Sequence, residues 1–311
     1  MQTSRVRALA RSVVAAIAVL AMAGCSGVDD AHRAVGPTSS VTSEPDEARS
    51  AAATTAPAFD RLQQTYGATL GVFALDTGTR QTVAYNANRR FAYASTYKAL
   101  AAGVLLADPS TDLDAHVDLA QDEILAGSPV TSQHVESGMR LGDVVAAALE
   151  QSDNTAGNIV LQRVGGPAGF ETALRRIGDT TTRSDRTEPD LNAAVPGDDR
   201  DTSTPRALAL DLDRLVLGSV LHASERARLT VWMRANTTGD DLVRAAVPAG
   251  WTVADKTGTG YYGVRNDIAV VWPPSGAPIV LAIQTTKSTQ AAEPSDALVA
   301  AAAKEAIGAL R

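Results

Sequence analysis

The spacing of apolar residues changes period twice along the chain, and that segregation limits the folds open to it more than any other feature. A short helix-like run, Phe59–Tyr66, is followed by two strand-like runs, Gly71–Asp76 and Gln81–Asn86. Between them, Thr77-Gly78-Thr79 reads as a hairpin turn in which Gly78 supplies the positive φ. Helical spacing then takes over. Apolar residues crowd Ser95–Leu106 in helix-compatible fashion, Leu141–Glu150 places Leu141, Val144, Val145, Ala148 and Leu149 on one face, and Asn154–Val164 continues the pattern. Pro167 opens a further helix that Gly178 ends, Thr204-Pro205 caps another running through Leu217, and Ser224–Ala235 makes one more. Period two returns in Trp251–Thr257, Asp267–Trp272 and Ile279–Thr285, before an Ala-rich helix, Ala297–Leu310. Neighbouring strands joined by short turns pair antiparallel. The order therefore predicts an α+β fold with one five-stranded antiparallel sheet. Its sheet domain combines residues 58–88 with 237–311 and is flanked by the terminal helices; an all-α domain, 89–236, is inserted between. A cleft is expected where the two meet.

The first 25 residues stand outside this scheme. Arg5, Arg7 and Arg11 precede an apolar run, Val13–Met22, too short to cross a bilayer comfortably, which is the pattern of a secretory signal. No Arg-Arg pair precedes the run, which favours the general export route. It ends Leu20-Ala-Met-Ala-Gly-Cys25 and resembles a bacterial lipoprotein signal, although Met22 stands where leucine is usual. The expectation is an exported protein: a cell-envelope lipoprotein attached to the membrane through a lipid on Cys25, or a secreted one if Cys25 is incidental. Residues 26–57 are rich in Ser, Thr, Ala, Pro and Asp with almost no large apolar side chains, and are expected to form a flexible tether.

Composition closes off several classes of function. The net charge is −7 and no run of Lys and Arg forms a patch, so nucleic acid is not an expected partner. Cys25 is the single cysteine, which rules out an internal disulfide and a thiolate cluster. His32, His116, His134 and His222 lack the spacing of a zinc hydrolase. No metal or other cofactor is expected.

Three short motifs carry chemistry. Ser95-Thr96-Tyr97-Lys98 sets a hydroxyl and an amine three residues apart on one helix face, within hydrogen-bond reach, beside the unpaired N–H groups of a helix start. The plain alternative is that Ser95 caps the helix. Ser152-Asp153-Asn154 lies at the junction of two helical stretches and, taken alone, reads as a polar turn in which Asn154 caps the second. Lys256-Thr257-Gly258 lies on a strand and continues into Thr259-Gly260; a strand lysine is usually solvated, and the two glycines mark either a bulge or a close approach by a ligand.

Taken together and in this order, the motifs resemble the signature set of the serine β-lactamase and penicillin-binding protein superfamily. Arg186-Thr-Glu188-Pro-Asp-Leu-Asn192 and Gly197-Asp-Asp-Arg-Asp-Thr202 are similar to a loop of the class A β-lactamases, and the similarity extends from Phe59 to Arg311. By that resemblance, Ser95 is the nucleophile that opens the lactam ring and forms an acyl-enzyme. Lys98 and Glu188 are both candidates for the base of acylation. The resemblance also implies that Ser152 passes a proton to the departing nitrogen, and that backbone N–H groups of Ser95 and Thr259 receive the oxyanion. It assigns Lys256, Thr257 and Arg265 to the substrate carboxylate, Gly258 and Thr259 to the strand edge along which the substrate lies, and Asn154 to its acylamide. Glu188, with Asn192, would hold and activate the deacylating water. Arg186 and Asp201 would pair across the neck of the loop, with the Glu188–Pro189 bond cis. The fold implied is β-lactamase-like, the substrates are penicillins and cephalosporins, the function is antibiotic resistance, and the state is monomeric.

Two other readings compete. A penicillin-binding D-Ala-D-Ala peptidase would share Ser95, Lys98, Ser152 and Lys256 but not the Glu188–Asn192 pair. A β-lactam sensor would bind drug and remain acylated, and would need a membrane-crossing signalling segment beyond the leader.

Overall fold

The structure, a computed structural model, describes residues 46–311, with side chains from Thr55 onward. The leader, Cys25 and the tether as far as residue 45 lie outside the described residues. Helix α1 spans Asp46–Tyr66, so residues 46–57 are helical rather than part of a tether. The reason is local: Ala51-Ala52-Ala53 is a run of the strongest helix former, and helix formation does not require large apolar side chains.

Strands β1 (Thr69–Asp76) and β2 (Thr82–Tyr85) pair as the expected hairpin. The positive φ in its turn falls on Arg80, at 63°, and not on Gly78. Gly78 is needed for space instead, because a Cβ there would lie 2.7 Å from the Ala277 side chain. Strands β3 (Thr252–Gly260), β4 (Val264–Trp272) and β5 (Ile279–Thr286) complete a five-stranded antiparallel sheet of order β2-β1-β5-β4-β3. The first and last strands of the chain pair along their whole length, Thr69↔Thr286 to Asp76↔Ile279.

Both faces of the sheet are covered, which is why β1 reads as a nearly continuous apolar run. On one face Phe73, Leu75, Ile268, Val270, Val280 and Ala282 point into the core of the helical block. The block comprises α2 (Tyr97–Leu106), α3 (Leu141–Glu150), α4 (Asn154–Arg163), α5 (Gly166–Arg176), α6 (Pro205–Leu212) and α7 (Ala223–Arg234), whereas the short α8 (Val243–Ala246) packs on the opposite face of the sheet. Helix α2 is buried at every position and, Lys98 excepted, has no charged side chain, so it is not amphipathic. Pro167 lies in the first turn of α5, Gly178 follows its end with φ of 97°, and the Thr204 hydroxyl caps α6 by accepting the Ala207 N–H.

On the other face Val72, Ala74, Ala269, Val271, Leu281 and Ile283 pack with Phe59 of α1 and with the terminal helix α9 (Asp296–Gly308). Helix α9 buries Leu298, Val299, Ala302, Ala303, Ala306 and Ile307. Burial of a side chain such as Leu298 or Ile307 stabilises by roughly 1.5–3 kcal/mol. Ser295 starts this helix, its hydroxyl accepting the Leu298 N–H at 3.3 Å. The described residues belong to one compact unit.

Candidate active site

Ser95 does not cap a helix. It lies in a tight turn, Ala94–Thr96, that feeds directly into α2, and its side chain makes no capping hydrogen bond. The turn is strained, since Ala94 has φ of 47°, a conformation that costs a non-glycine residue roughly 1–3 kcal/mol. Two features hold it there. The Asn266 side-chain amide on β4 donates to the carbonyls of Ala92 (2.8 Å) and Tyr93 (3.2 Å), while its oxygen accepts the Thr285 N–H on β5. Gly258 lets β3 run against the turn: a Cβ there would stand 2.9 Å from the Tyr93 carbonyl and 3.2 Å from the Ser95 nitrogen. The ladder between β3 and β4 is unbroken from Thr252↔Trp272 to Gly260↔Val264, so the glycines mark close approach and not a bulge.

The Ser95 hydroxyl is engaged from two sides. It donates to Glu188 Oε1 at 3.0 Å and accepts from Lys98 Nζ at 3.0 Å, as the three-residue spacing predicts. Lys98 also donates to the Ser152 carbonyl (2.8 Å) and Asn154 Oδ1 (2.9 Å), and pairs with Glu188 Oε1 at 3.0 Å. Its amine is fully buried; burial lowers its pKa, while the charges of Glu188 and Asp153 oppose the shift. Room for the lysine comes from Gly157 on α4, where a Cβ would collide with the Lys98 chain.

Glu188 reaches this point from a loop that is fastened at several places. Asn158 of α4 accepts the Glu188 N–H (2.8 Å) and donates to its carbonyl (2.9 Å). The Glu188–Pro189 bond is cis, and the Asn192 side chain donates to Glu188 Oε2. At the neck, Arg186 and Asp201 form the expected ion pair, and Asp201 also accepts the N–H groups of Asp185 and Arg186.

Ser152 stands across from this cluster with φ of 55°. Its hydroxyl accepts from Lys256 Nζ at 3.0 Å. Asp153, not Asn154, caps α4: it accepts the Ala156 N–H and also ties down the N–H groups of Val130 and Thr131. Asn154 is thereby freed to hold Lys98, and its amide donates to the Ala126 carbonyl.

Lys256 is fully buried rather than solvated. Burial, reinforced by the charge of Lys98, brings its pKa down to about 7. Neighbouring Asp255 is bound by Arg244 (2.7 Å) and Asn236 (2.7 Å). Further along the same edge, Arg265 donates to Thr259 Oγ1 (2.9 Å) and is held by Asp296 of α9, while Thr257 shares a hydrogen bond with Thr238. Burial and then the charge of Asp255 push the carboxyl of Asp267, opposite Thr257, well above its usual range.

All the residues singled out from the sequence, Cys25 excepted, thus fall into two linked clusters, Ser95–Lys98–Asn154–Glu188–Asn192 and Ser152–Lys256–Thr257–Gly258–Thr259–Arg265. Sequence reasoning misses Asn158, Asn266, Gly157, Thr238 and Asp296. Only Gly157 leaves a signal, as a glycine inside a helical pattern that would otherwise be weakened by it. The first cluster joins a hydroxyl to a carboxylate that can take its proton; the second offers a hydroxyl backed by a cation and a row of donors suited to an anion. That is equipment for acyl transfer to serine from an anionic substrate.

Comparison with known proteins agrees with this chemistry. Residues 54–310 match the family described as the β-lactamase enzyme family. A β-lactamase of Amycolatopsis lactamdurans is 55% identical over 254 residues, 81% of this chain and 84% of that protein. One of Bacillus amyloliquefaciens is 53% identical over 254 residues, covering 81% and 83%. Among solved structures, the class A β-lactamase from Clostridium kluyveri superposes with a TM-score of 0.81 at 45% identity, covering 83% of this chain and 99% of that one.

Proposed function

Because the chain belongs to the β-lactamase enzyme family and has the class A fold, we propose that it hydrolyses penicillins and cephalosporins through an acyl-enzyme on Ser95, and so confers resistance to them. The observation that carries this reading is the Ser95 hydroxyl itself, which donates to a buried carboxylate while accepting from a buried amine.

In acylation, Ser95 Oγ bonds to the lactam carbonyl carbon as its proton passes to Glu188 Oε1. We assign the proton to Glu188, whose carboxylate lies 3.0 Å from the Ser95 hydroxyl, and give Lys98, equally near and held as a donor by three further acceptors, the task of stabilising the developing alkoxide. Negative charge on the carbonyl oxygen is received by the N–H groups of Ser95 and Thr259, and one such donor is typically worth about 10²–10³ in rate. The C–N bond breaks, and the nitrogen takes the Ser152 proton, which Lys256 replaces before regaining its own from solvent. Once Glu188 has returned its proton to solvent, it takes another from a water held with Asn192. The resulting hydroxide attacks the ester carbonyl, the C–Oγ bond breaks, and Ser95 recovers its proton. Lys256, Thr257 and Arg265 bind the substrate carboxylate, and Asn154 its acylamide. The Glu188–Asn192 pair favours this reading over a D-Ala-D-Ala peptidase or a drug sensor, neither of which has to release its acyl group to water this way. We place the mature protein outside the cytoplasm as a monomer, carried there by the leader and anchored through a lipid on Cys25.

The direct test is hydrolysis of a chromogenic cephalosporin by the purified protein under substrate excess. Sustained turnover is expected. A single stoichiometric burst followed by silence would favour the peptidase or sensor reading.

A further inference from the structure

A cavity of about 470 Å³ lies under the far part of the loop that carries Glu188 and shares no residue with the site around Ser95. Its size falls in the range of small-molecule sites. Three cations converge on it, Arg89, Arg90 and Lys287. Among the described residues none is paired with a carboxylate. Arg90 donates to Thr202 and to the Thr181 carbonyl, Lys287 donates to the Glu293 carbonyl, and Arg89 lies over the Phe91 ring, 5.9 Å from its centroid. The rim also bears Asp198 and Asp199. Asp198 is already neutralised by Arg200 (2.7 Å) and Arg186, which lowers its pKa to about 2, and Asp199 is exposed to solvent. The remaining lining is mixed, with the hydroxyls of Thr69, Thr202, Thr286 and Ser288 beside an apolar part that includes Val195 and Pro196. Val195 is 46% exposed, among the few large apolar side chains left in water.

Cations without carboxylate partners beside an apolar patch specify a particular chemistry. A guanidinium and an ammonium of this kind form charge-assisted hydrogen bonds with an anion, and the three cations outnumber Asp199, the one rim carboxylate with no arginine on it. We propose that this cavity is a binding site for a small organic anion: a phosphate or carboxylate held by Arg89, Arg90 and Lys287, and an apolar ring seated on Val195 and Pro196. An occupant would rest against Ala194, two residues beyond Asn192 on the same loop.

Phenyl phosphate is the probe, titrated into the isotopically labelled protein and followed by backbone amide shifts. Saturable shifts at Ala194, Val195, Gly197 and Lys287 are expected, with a dissociation constant on the order of 0.1–1 mM. Inorganic phosphate, which offers charge alone, is expected to bind more weakly, and benzyl alcohol, the ring alone, not to bind measurably. Arg89→Ala and Lys287→Ala are each expected to weaken phenyl phosphate by about two- to fivefold. Val195→Glu, which sets a carboxylate into the exposed wall without disturbing the core, is expected to weaken it further. None of these three positions belongs to the proposed catalytic machinery, so cephalosporin turnover without probe is expected to stay unchanged. Shifts confined to Lys256, Thr257 and Arg265, or equal binding by inorganic phosphate, or affinity untouched by the three substitutions, would each overturn the proposal.

Discussion

Two lysines, Lys98 and Lys256, are both fully buried in the cleft, and their surroundings differ in one respect. Lys98 has a carboxylate, Glu188, at 3.0 Å. Lys256 has none within ion-pair distance among the described residues: its amine donates to the Ser152 hydroxyl and the Thr257 carbonyl, both neutral. The two carboxyls nearest in sequence and register do not compensate it. Asp255 is occupied by Arg244 and Asn236, and Asp267 is pushed by burial toward its neutral form. Leaving a charge buried without a partner is costly, and the pKa of about 7 is the sign of that cost. One half of the site therefore carries its own counter-charge and is complete for proton transfer. The other half is short of an anion, which the carboxylate of a penicillin or cephalosporin would bring.

Substitutions can break this contrast in order of decreasing effect. Ser95→Ala removes the proposed nucleophile; turnover is expected to fall by about 10⁴–10⁶, and intact-mass spectra after mixing with penicillin are expected to show no adduct. Lys98→Met and Lys256→Met form a matched pair that keeps the aliphatic stems. Lys98→Met leaves Glu188 buried and unpaired, so a loss of about 3–5 kcal/mol in urea unfolding is expected. Lys256→Met removes a charge that had no partner, and stability is expected to hold or rise while KM for penicillin increases. Equal destabilisation by the two would remove the distinction between the halves.

The pH profile sharpens the same point. The pKa of Lys256 is lowered, so the amine is charged below about pH 7 and loses its proton as pH rises through that value. Binding of an anionic substrate needs the charged form, so kcat/KM is expected to decline on the alkaline side of about 7. Lys256→Arg, which stays charged, is expected to move that decline upward by at least about one pH unit. An unmoved limb would assign it to another group.

A smaller effect comes from a carboxyl pair remote from the chemistry. Asp211 is buried, and its pKa is raised from 3.8 to about 9 by burial and by the charge of Asp179. A raised folded pKa means that the stability it contributes is fully present below 3.8 and is lost as pH climbs toward about 9. Asp211→Asn, which cannot ionise, is expected to flatten that part of the stability curve in urea melts at a series of pH values.

The sheet order and the helical block are legible in the sequence because hydrophobic period and chain order report burial directly. The strands β1, β4 and β5 and the apolar helix α2 are cases where the side chains name their own environment. The motif residues are legible because their types and spacing specify chemistry. What the sequence hides is dependence on distant partners. Asn266 stands just outside the strand expected from the sequence, Asp267–Trp272, and nothing local says that it holds the Ala92 and Tyr93 carbonyls far away in the chain. Asn158 reads as the polar face of a helix, yet it fixes both backbone groups of Glu188. Even the cap of α4 lies one residue from where the sequence places it, because Asp153 is held there by Val130 and Thr131 as much as by its own helix.

The proposed division of labour rests above all on Glu188 as the base that frees the acyl-enzyme, and the most direct measurement is the intact mass of Glu188→Ala followed in time after mixing with penicillin. The expected result is an adduct on Ser95 that forms and then persists, with turnover slowed by about 10²–10⁴ or more. Release of the adduct at the rate of the unsubstituted protein would contradict the role given to Glu188.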